Sequence, residues 1–236
     1  MIKGLLFDYG GTIDTNGIHW AVVLKNAYQH FGIEVPETLF SQAYTFGERS
    51  LALKAMVKPE HNFLDVLRLK VGQQFQFLNE QGFITNPEAI EMIAAHCNEF
   101  AADTISVTKR TLEELAEKYP LVMVSNFYGN LHTVLRDFDI LHLFKEVIES
   151  AVVGCRKPDP KIYQLGVDAL GFAPEECMVV GDTFGKDIVP AKAVGCPVIW
   201  LKCQGWEEDP EKIRETGILA DFTITDFAEI PAIIKG

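Results

Sequence analysis

Four short stretches of this chain carry side chains suited to chemistry on an anion. Asp8 closes the apolar run 2–7 and opens the turn Asp8-Tyr9-Gly10-Gly11-Thr12. Ser125 closes the run 121–125 and is followed by Asn126. Lys157 stands ahead of a helical pattern in Cys155-Arg156-Lys157-Pro158-Asp159-Pro160, and Asp182 and Asp187 follow the run 177–181. Carboxylates gathered in one place repel, and a hard divalent cation with oxygen ligands resolves this; magnesium suits such a set. Ser125 offers a hydroxyl to a phosphoryl oxygen. Lys157 offers a point charge. Two unit charges at about 4 Å are worth roughly 1 kcal/mol in water and about 4 kcal/mol near a protein surface, so this lysine is useful only where the site is partly dry. On its own, the first stretch is equally a strand-ending turn with Asp8 as turn former.

These groups act together only if the fold delivers them to one edge. Residues 2–7, 121–125, 177–182 and 197–201 read as continuous apolar strands, the kind buried on both faces of a parallel sheet. Weaker strands lie near Val147-Ile148 and at 220–224. Helical patterns at 109–119, 131–138, 160–170 and 188–194 alternate with them, and a last helix runs to the C-terminus. The expected class is α/β, a doubly wound, Rossmann-like parallel sheet whose strands share one ligand-binding carboxyl edge. No strand-like run occurs between 16 and 105. Trp20, Val23, Leu24, Ala27 and Phe31 recur at helical steps, Pro36 opens a second helix, 63–78 makes a third and 87–100 a fourth. The expectation is an all-helical cap, 16–104, inserted into a core of 1–15 and 105–236.

In order and spacing the four stretches resemble the motifs of the haloacid dehalogenase-like hydrolase superfamily. Its first motif, D-x-D-G-T after a strand, compares with Asp8-Tyr9-Gly10-Gly11-Thr12. Its second, a Ser or Thr ending a strand, compares with Ser125, followed by Asn126 as in many members. Its third, a lysine before a helix, compares with Lys157-Pro158. Its fourth, G-D-x-x-x-x-D, compares with residues 181–187. The resemblance spans nearly the whole core and makes the helical insertion a cap. It implies that Asp8 is a nucleophile forming a phospho-aspartate, and that Mg²⁺ is held by Asp8, the carbonyl of Gly10 and Asp182, with Asp187 beside them orienting a bound water or Lys157. It places Ser125, Asn126, Lys157, Gly11 and Thr12 at the phosphate. The implied activity is Mg²⁺-dependent phosphomonoester hydrolysis of a small metabolite.

Position 10 departs from the resemblance. Phosphatases of the superfamily carry a second aspartate there, which protonates the leaving group and then activates water; here it is Gly10. General acid–base catalysis contributes about 10²–10⁴-fold, roughly 3–5 kcal/mol of barrier. Four readings stay open. The protein is a phosphatase whose substrates leave easily or donate their own proton, such as anomeric sugar, acyl or aryl phosphates. It is a phosphatase in which Asp14 or His19, at the cap hinge, supplies the proton. It is a carbon-bond hydrolase of the dehalogenase or phosphonatase kind. Or it is a phosphate-ligand binding protein with little turnover. The carboxylates of the fourth stretch weigh against a dehalogenase, whose chemistry has no use for a magnesium cage.

The remaining residues narrow the field. In 236 residues, 48% are hydrophobic and 23% charged, which describes an ordinary globular protein. A net charge of −12 argues against nucleic acid or an anionic membrane as partner. The five scattered cysteines form no C-x-x-C pair, so reduced thiols in a cytoplasm are expected. The first apolar run is too short for a signal peptide, and no run reaches membrane-spanning length. The partner implied by the resemblance is a small phosphorylated molecule, and a monomer or homodimer is expected. Arg49, Lys54, Lys58, Arg68 and Lys70 mostly solvate cap helix faces, with one of them a candidate to reach the substrate. Trp20, Phe63, Phe75 and Phe77 read as cap core, and 207–209 as an exposed loop.

Overall fold

Residues Gly4–Phe7, all buried, form β1, the strand from which the sheet is laid out in both directions. The computed structural model describes residues 1–202, 204, 205 and 208–234. Four helices follow β1: α1 (Trp20–His30), α2 (Glu37–Leu53), α3 (Phe63–Glu80) and α4 (Ala89–Ala116). Strands and helices then alternate as β2 (Leu121–Ser125), α5 (Leu131–Asp137), β3 (Phe144–Glu149), α6 (Ser150–Val153), α7 (Lys161–Leu170), β4 (Cys177–Gly181), α8 (Val189–Val194), β5 (Val198–Leu201), α9 (Pro210–Glu215), β6 (Phe222–Ile224) and α10 (Ile230–Ile234). The strands form one parallel sheet in the order β3-β2-β1-β4-β5-β6. Strand order reverses between β1 and β4, which opens a crevice at their carboxyl ends. Asp8 and Asp182 follow those two strands.

Alternate residues of each strand face opposite layers. Leu5, Phe7, Met123 and Val180 join one apolar cluster, and Leu6, Val122, Val124 and Val179 join another with Ile162 and Val167 of α7. Each fully buried Leu, Val or Phe contributes about 1.5–3 kcal/mol of transfer free energy, which is why these strands read as unbroken apolar runs.

The patterns at 87–100 and 109–119 prove to be one helix. Ala89–Ala116 contains neither glycine nor proline and runs unbroken across 101–108, where the two patterns left a gap. Its buried residues, Ile93, Ala94, Cys97, Ala101, Ile105, Thr108, Leu112 and Leu115, keep one face throughout. At 1.5 Å per residue it spans roughly 42 Å, long enough to serve the helical bundle with one end and the sheet with the other. Thr108 Oγ1 donates to Ile13 O at 3.0 Å, tying the helix to the turn after β1. Trp20, Phe63 and Phe75 are buried as expected, whereas Phe77 is half-buried and packs on Phe46 beside an open groove. Cys97, Cys155, Cys177 and Cys196 are free thiols; Cys203 lies outside the described residues. Among the described residues no helix is long and apolar enough to cross a membrane.

Candidate active site

Asp8 N donates to Val180 O at 2.9 Å, so Asp8 is still bound to the sheet when its side chain emerges at the crevice. The turn that follows is tight. Gly11 has φ +95°, and a Cβ there would stand 2.2 Å from Asp182 Oδ2. Glycine at this position therefore admits the second carboxylate. Gly11 N donates to Asp14 Oδ1 at 2.7 Å, Thr12 Oγ1 donates to Asp8 Oδ2 at 3.1 Å and Thr12 N donates to Tyr9 O at 3.2 Å. These donors, expected at a phosphate, instead close the turn on itself, because buried N–H and O–H groups must find partners.

Lys157 reaches the same point from the loop ahead of α7. Its Nζ lies 2.5 Å from Asp8 Oδ1 and 2.7 Å from Asp187 Oδ1, and all three residues are buried. Asn126 Oδ1 accepts from Lys157 N at 2.9 Å and its Nδ2 donates to Lys157 O at 3.1 Å. Its amide, expected at the phosphate, is thus turned to the lysine main chain. Ser125 is buried as the last residue of β2, in register with Glu149 of β3. Asp187 accepts from Tyr163 OH at 2.7 Å and from Thr183 N at 3.0 Å. Gly181 lets Asp187 fold back over β4, since a Cβ there would meet Asp187 Cβ at 2.4 Å.

One oxygen each from Asp8, Asp182 and Asp187 lies within 4.8 Å of the others. Burial pushes Asp8 up to about 6, with Lys157 opposing and Asp187 adding. Burial, then Asp187 and Asp8, push Asp182 well above the usual carboxylate range. Burial works to lower Lys157, but Asp187 and Asp8 outweigh it and hold the ammonium above its ordinary value. Three buried carboxylates face one ammonium, so a cation held among them would complete the compensation. Oxygen donors of this kind suit one hard divalent ion.

Gly10 is exposed, and nothing lies within 4 Å of a Cβ built on it. Asp14 and His19, the two candidates for the missing acid, are engaged at the hinge. Asp14 accepts from Gly11 N and, at 2.9 Å, from Trp20 Nε1, and burial raises it to about 7. His19 caps α1, with Nδ1 accepting from Ala21 N; burial, then Lys186, lower it to about 4, so it is uncharged at neutral pH.

Three contributors escape a sequence reading. Tyr163 lies on the apolar face of α7 and reads as core, yet its hydroxyl holds Asp187. Trp200 Nε1 donates to Asp182 O at 2.9 Å. Glu208 corrects the expectation of an exposed acidic loop at 207–209. It is half-buried and accepts from Phe184 N at 2.8 Å and Gly185 N at 3.3 Å, fixing the turn that carries Asp187. The one available signal was that an acid suits the open N–H groups at the start of a helical turn. Asp209 caps α9, and Glu207 lies outside the described residues.

Comparison with known proteins agrees with this fold. The model of the haloacid dehalogenase-like hydrolases matches residues 2–195. A glyceraldehyde 3-phosphate phosphatase of Methanopyrus kandleri is 27% identical over 244 residues, covering 100% of this chain and 98% of its own. The enzyme of that name in Methanothermobacter thermautotrophicus is 30% identical, covering 96% of each chain. A HAD-hydrolase of Bacillus subtilis, solved bound to magnesium, shares the fold with a TM-score of 0.60 at 18% identity, covering 100% of this chain and 99% of its own. The chain belongs to the haloacid dehalogenase-like hydrolase family.

Proposed function

We propose that the protein is a Mg²⁺-dependent phosphomonoesterase of a small phosphorylated metabolite, with Asp8 as nucleophile. The observation that carries this reading is the Lys157 ammonium bridging Asp8 and Asp187, with Asp182 close enough to share one cation with both. The full-length relatives named as glyceraldehyde 3-phosphate phosphatases support the substrate class. Asp8, Asp182, Asp187 and the Gly10 carbonyl would hold Mg²⁺, which when bound would neutralise charge on the carboxylates and the phosphoryl group.

In this reading Lys157 and Thr12 fix the two oxygens of Asp8 and set the plane of the carboxylate. Asp8 attacks phosphorus, the P–O bond to the leaving group breaks, and its electron pair departs with the leaving oxygen. Ser125 and Lys157 bind the phosphoryl oxygens. Asn126 positions Lys157 through its main chain, and Asp187, held by Tyr163, positions its ammonium. Water then cleaves the acyl phosphate. Without a carboxyl at position 10, leaving groups that depart unprotonated are favoured.

The open space beside Gly10 favours a second reading, a phosphate-ligand binding protein with slow turnover. Hydrolysis of p-nitrophenyl phosphate separates the two, because its leaving group needs little help. Release dependent on Mg²⁺, abolished by EDTA and by Asp8→Asn, is expected of the phosphatase. Its absence at high protein concentration favours the binding protein, and chloride release from 2-chloropropionate would revive the dehalogenase reading.

A further inference from the structure

The segment 126–133, which leaves β2 at Ser125 and enters α5, is laced between core and cap. Asn126 clamps the main chain of Lys157 with both ends of its amide. On the core side, Ser150 Oγ accepts from Phe127 N at 3.2 Å. Glu149, 2% exposed, accepts from Gly129 N at 2.5 Å and from Leu131 N at 3.2 Å. On the cap side, Tyr128 OH donates to Glu48 Oε2 of α2 at 2.9 Å, Asn130 Nδ2 to His61 O at 2.8 Å and Thr133 Oγ1 to Pro59 O at 2.7 Å. Pro59 and His61 lie in the connection 54–62 between α2 and α3. Residues 127, 129 and 131 thus hold the core through their main chain, while 128, 130 and 133 hold the cap through their side chains. Residues 126–130 are neither helix nor strand, so their path rests on these anchors.

The cap ends of the bonds are themselves fixed. Of the cap cations expected to solvate helix faces, Lys70 of α3 is instead buried, and its Nζ lies 2.7 Å from Glu48 Oε1. Tyr128 is therefore tied to α2 and, through that pair, to α3. An aromatic contact runs beside it. The ring of Tyr9, the residue after Asp8, meets Phe63 of α3 edge-on at 6.2 Å and Phe127 of the segment at 5.7 Å.

We propose that Tyr128, Asn130 and Thr133 are positioning residues: they make the grip of Asn126 on Lys157, and with it the binding of a phosphoryl group, depend on the cap being seated. This deepens the phosphomonoesterase reading and rests on it. Ser125 and Asn126 lie within three residues of Tyr128, so a segment released from the cap slackens next to both. The coupling is reciprocal. A ligand that needs Lys157 in place favours the seated cap, and lifting the cap weakens that ligand. The phosphate end of the site is then complete only with the cap in place.

Orthovanadate with Mg²⁺ tests this on the full chain, because a phosphate-sized ligand has its proposed partners, Asp8, Ser125 and Lys157, on the core alone. The double variant Tyr128→Phe/Thr133→Val removes two cap bonds and leaves every core anchor in place. In calorimetry the folded variant is expected to bind vanadate at least about fivefold more weakly, the effect of one or two lost hydrogen bonds. A role in stability alone would lower the melting temperature and leave that affinity unchanged. Hydrogen exchange gives a second measure. Vanadate should slow exchange at 54–62 in the parent, although that connection holds none of the proposed phosphate ligands, and should not do so in the variant. Equal affinity in the folded variant overturns the proposal. So does unchanged exchange at 54–62 in the parent, which decides the matter should the variant fail to fold. A parent chain that binds no vanadate overturns the phosphatase reading and the coupling together, whereas a parent and a variant that bind it equally remove the coupling alone.

Discussion

Replacing Gly10 with aspartate adds a carboxyl at a position that has room for it. Gly10 is exposed, its φ is outside the left-handed region, and a Cβ there has no neighbour within 4 Å. A side chain at such a glycine stabilises by about 0.4–1 kcal/mol through the unfolded chain, so the variant should fold. If the substitution supplies the missing acid, the barrier falls by up to roughly 3–5 kcal/mol for leaving groups that need a proton. The new carboxyl joins a site where burial already raises Asp8 to about 6, and this crowding takes back part of the gain. The expected rise in kcat/KM for an alkyl phosphate is therefore at least about tenfold, the lower part of the general-acid range. p-Nitrophenyl phosphate should gain much less, because nitrophenolate leaves unprotonated. Rates of both are measured with saturating Mg²⁺ and compared with the parent. An unchanged alkyl rate in a folded variant, or an equal rise on both substrates, refutes the reasoning and returns the acid to another group.

Tyr163→Phe removes the hydroxyl that holds Asp187 and should lower kcat a few-fold, as expected for a hydrogen bond worth about 0.5–1.5 kcal/mol, with KM little changed; steady-state kinetics check this. Gly11→Ala forces an L-residue into φ +95° and a Cβ against Asp182, so it should lose at least about 1–2 kcal/mol of stability from the backbone alone and all Mg²⁺-dependent activity, read by thermal melting and phosphate release. Asp14 is raised by burial from 3.8 to about 7, so the folded state holds its proton more tightly than the unfolded chain. Its contribution to stability is thus greatest below pH 3.8 and declines as pH rises towards 7. Asp14→Asn should flatten the fall of melting temperature with pH over that window, whatever its absolute effect through the lost Gly11 hydrogen bond; an unchanged slope would refute the assignment.

The fold was legible because its signals are local. Continuous apolar runs mark strands buried on both faces, and a glycine turn with a polar residue after each run marks the carboxyl edge. That sufficed to place Asp8, Ser125, Lys157, Asp182 and Asp187 on one side of a parallel sheet. The helix Ala89–Ala116 reads as two patterns, 87–100 and 109–119, because periodicity shows a face and says nothing of whether two partners share it.

What only the tertiary structure decided is the occupation of each donor and acceptor. The sequence sets residue types at the edge, but hydrogen bonds are assigned by distances between atoms far apart in the chain. Asn126 turned to the main chain of Lys157, and Gly11 and Thr12 turned into their own loop, because buried polar groups take the nearest partner. Tyr163 and Glu208 entered the site from elements whose local patterns read as core or as solvent-facing surface. Burial likewise has no local signature in a lysine or a glutamate; it depends on which helix is laid across it, and that is set by the packing of the whole chain.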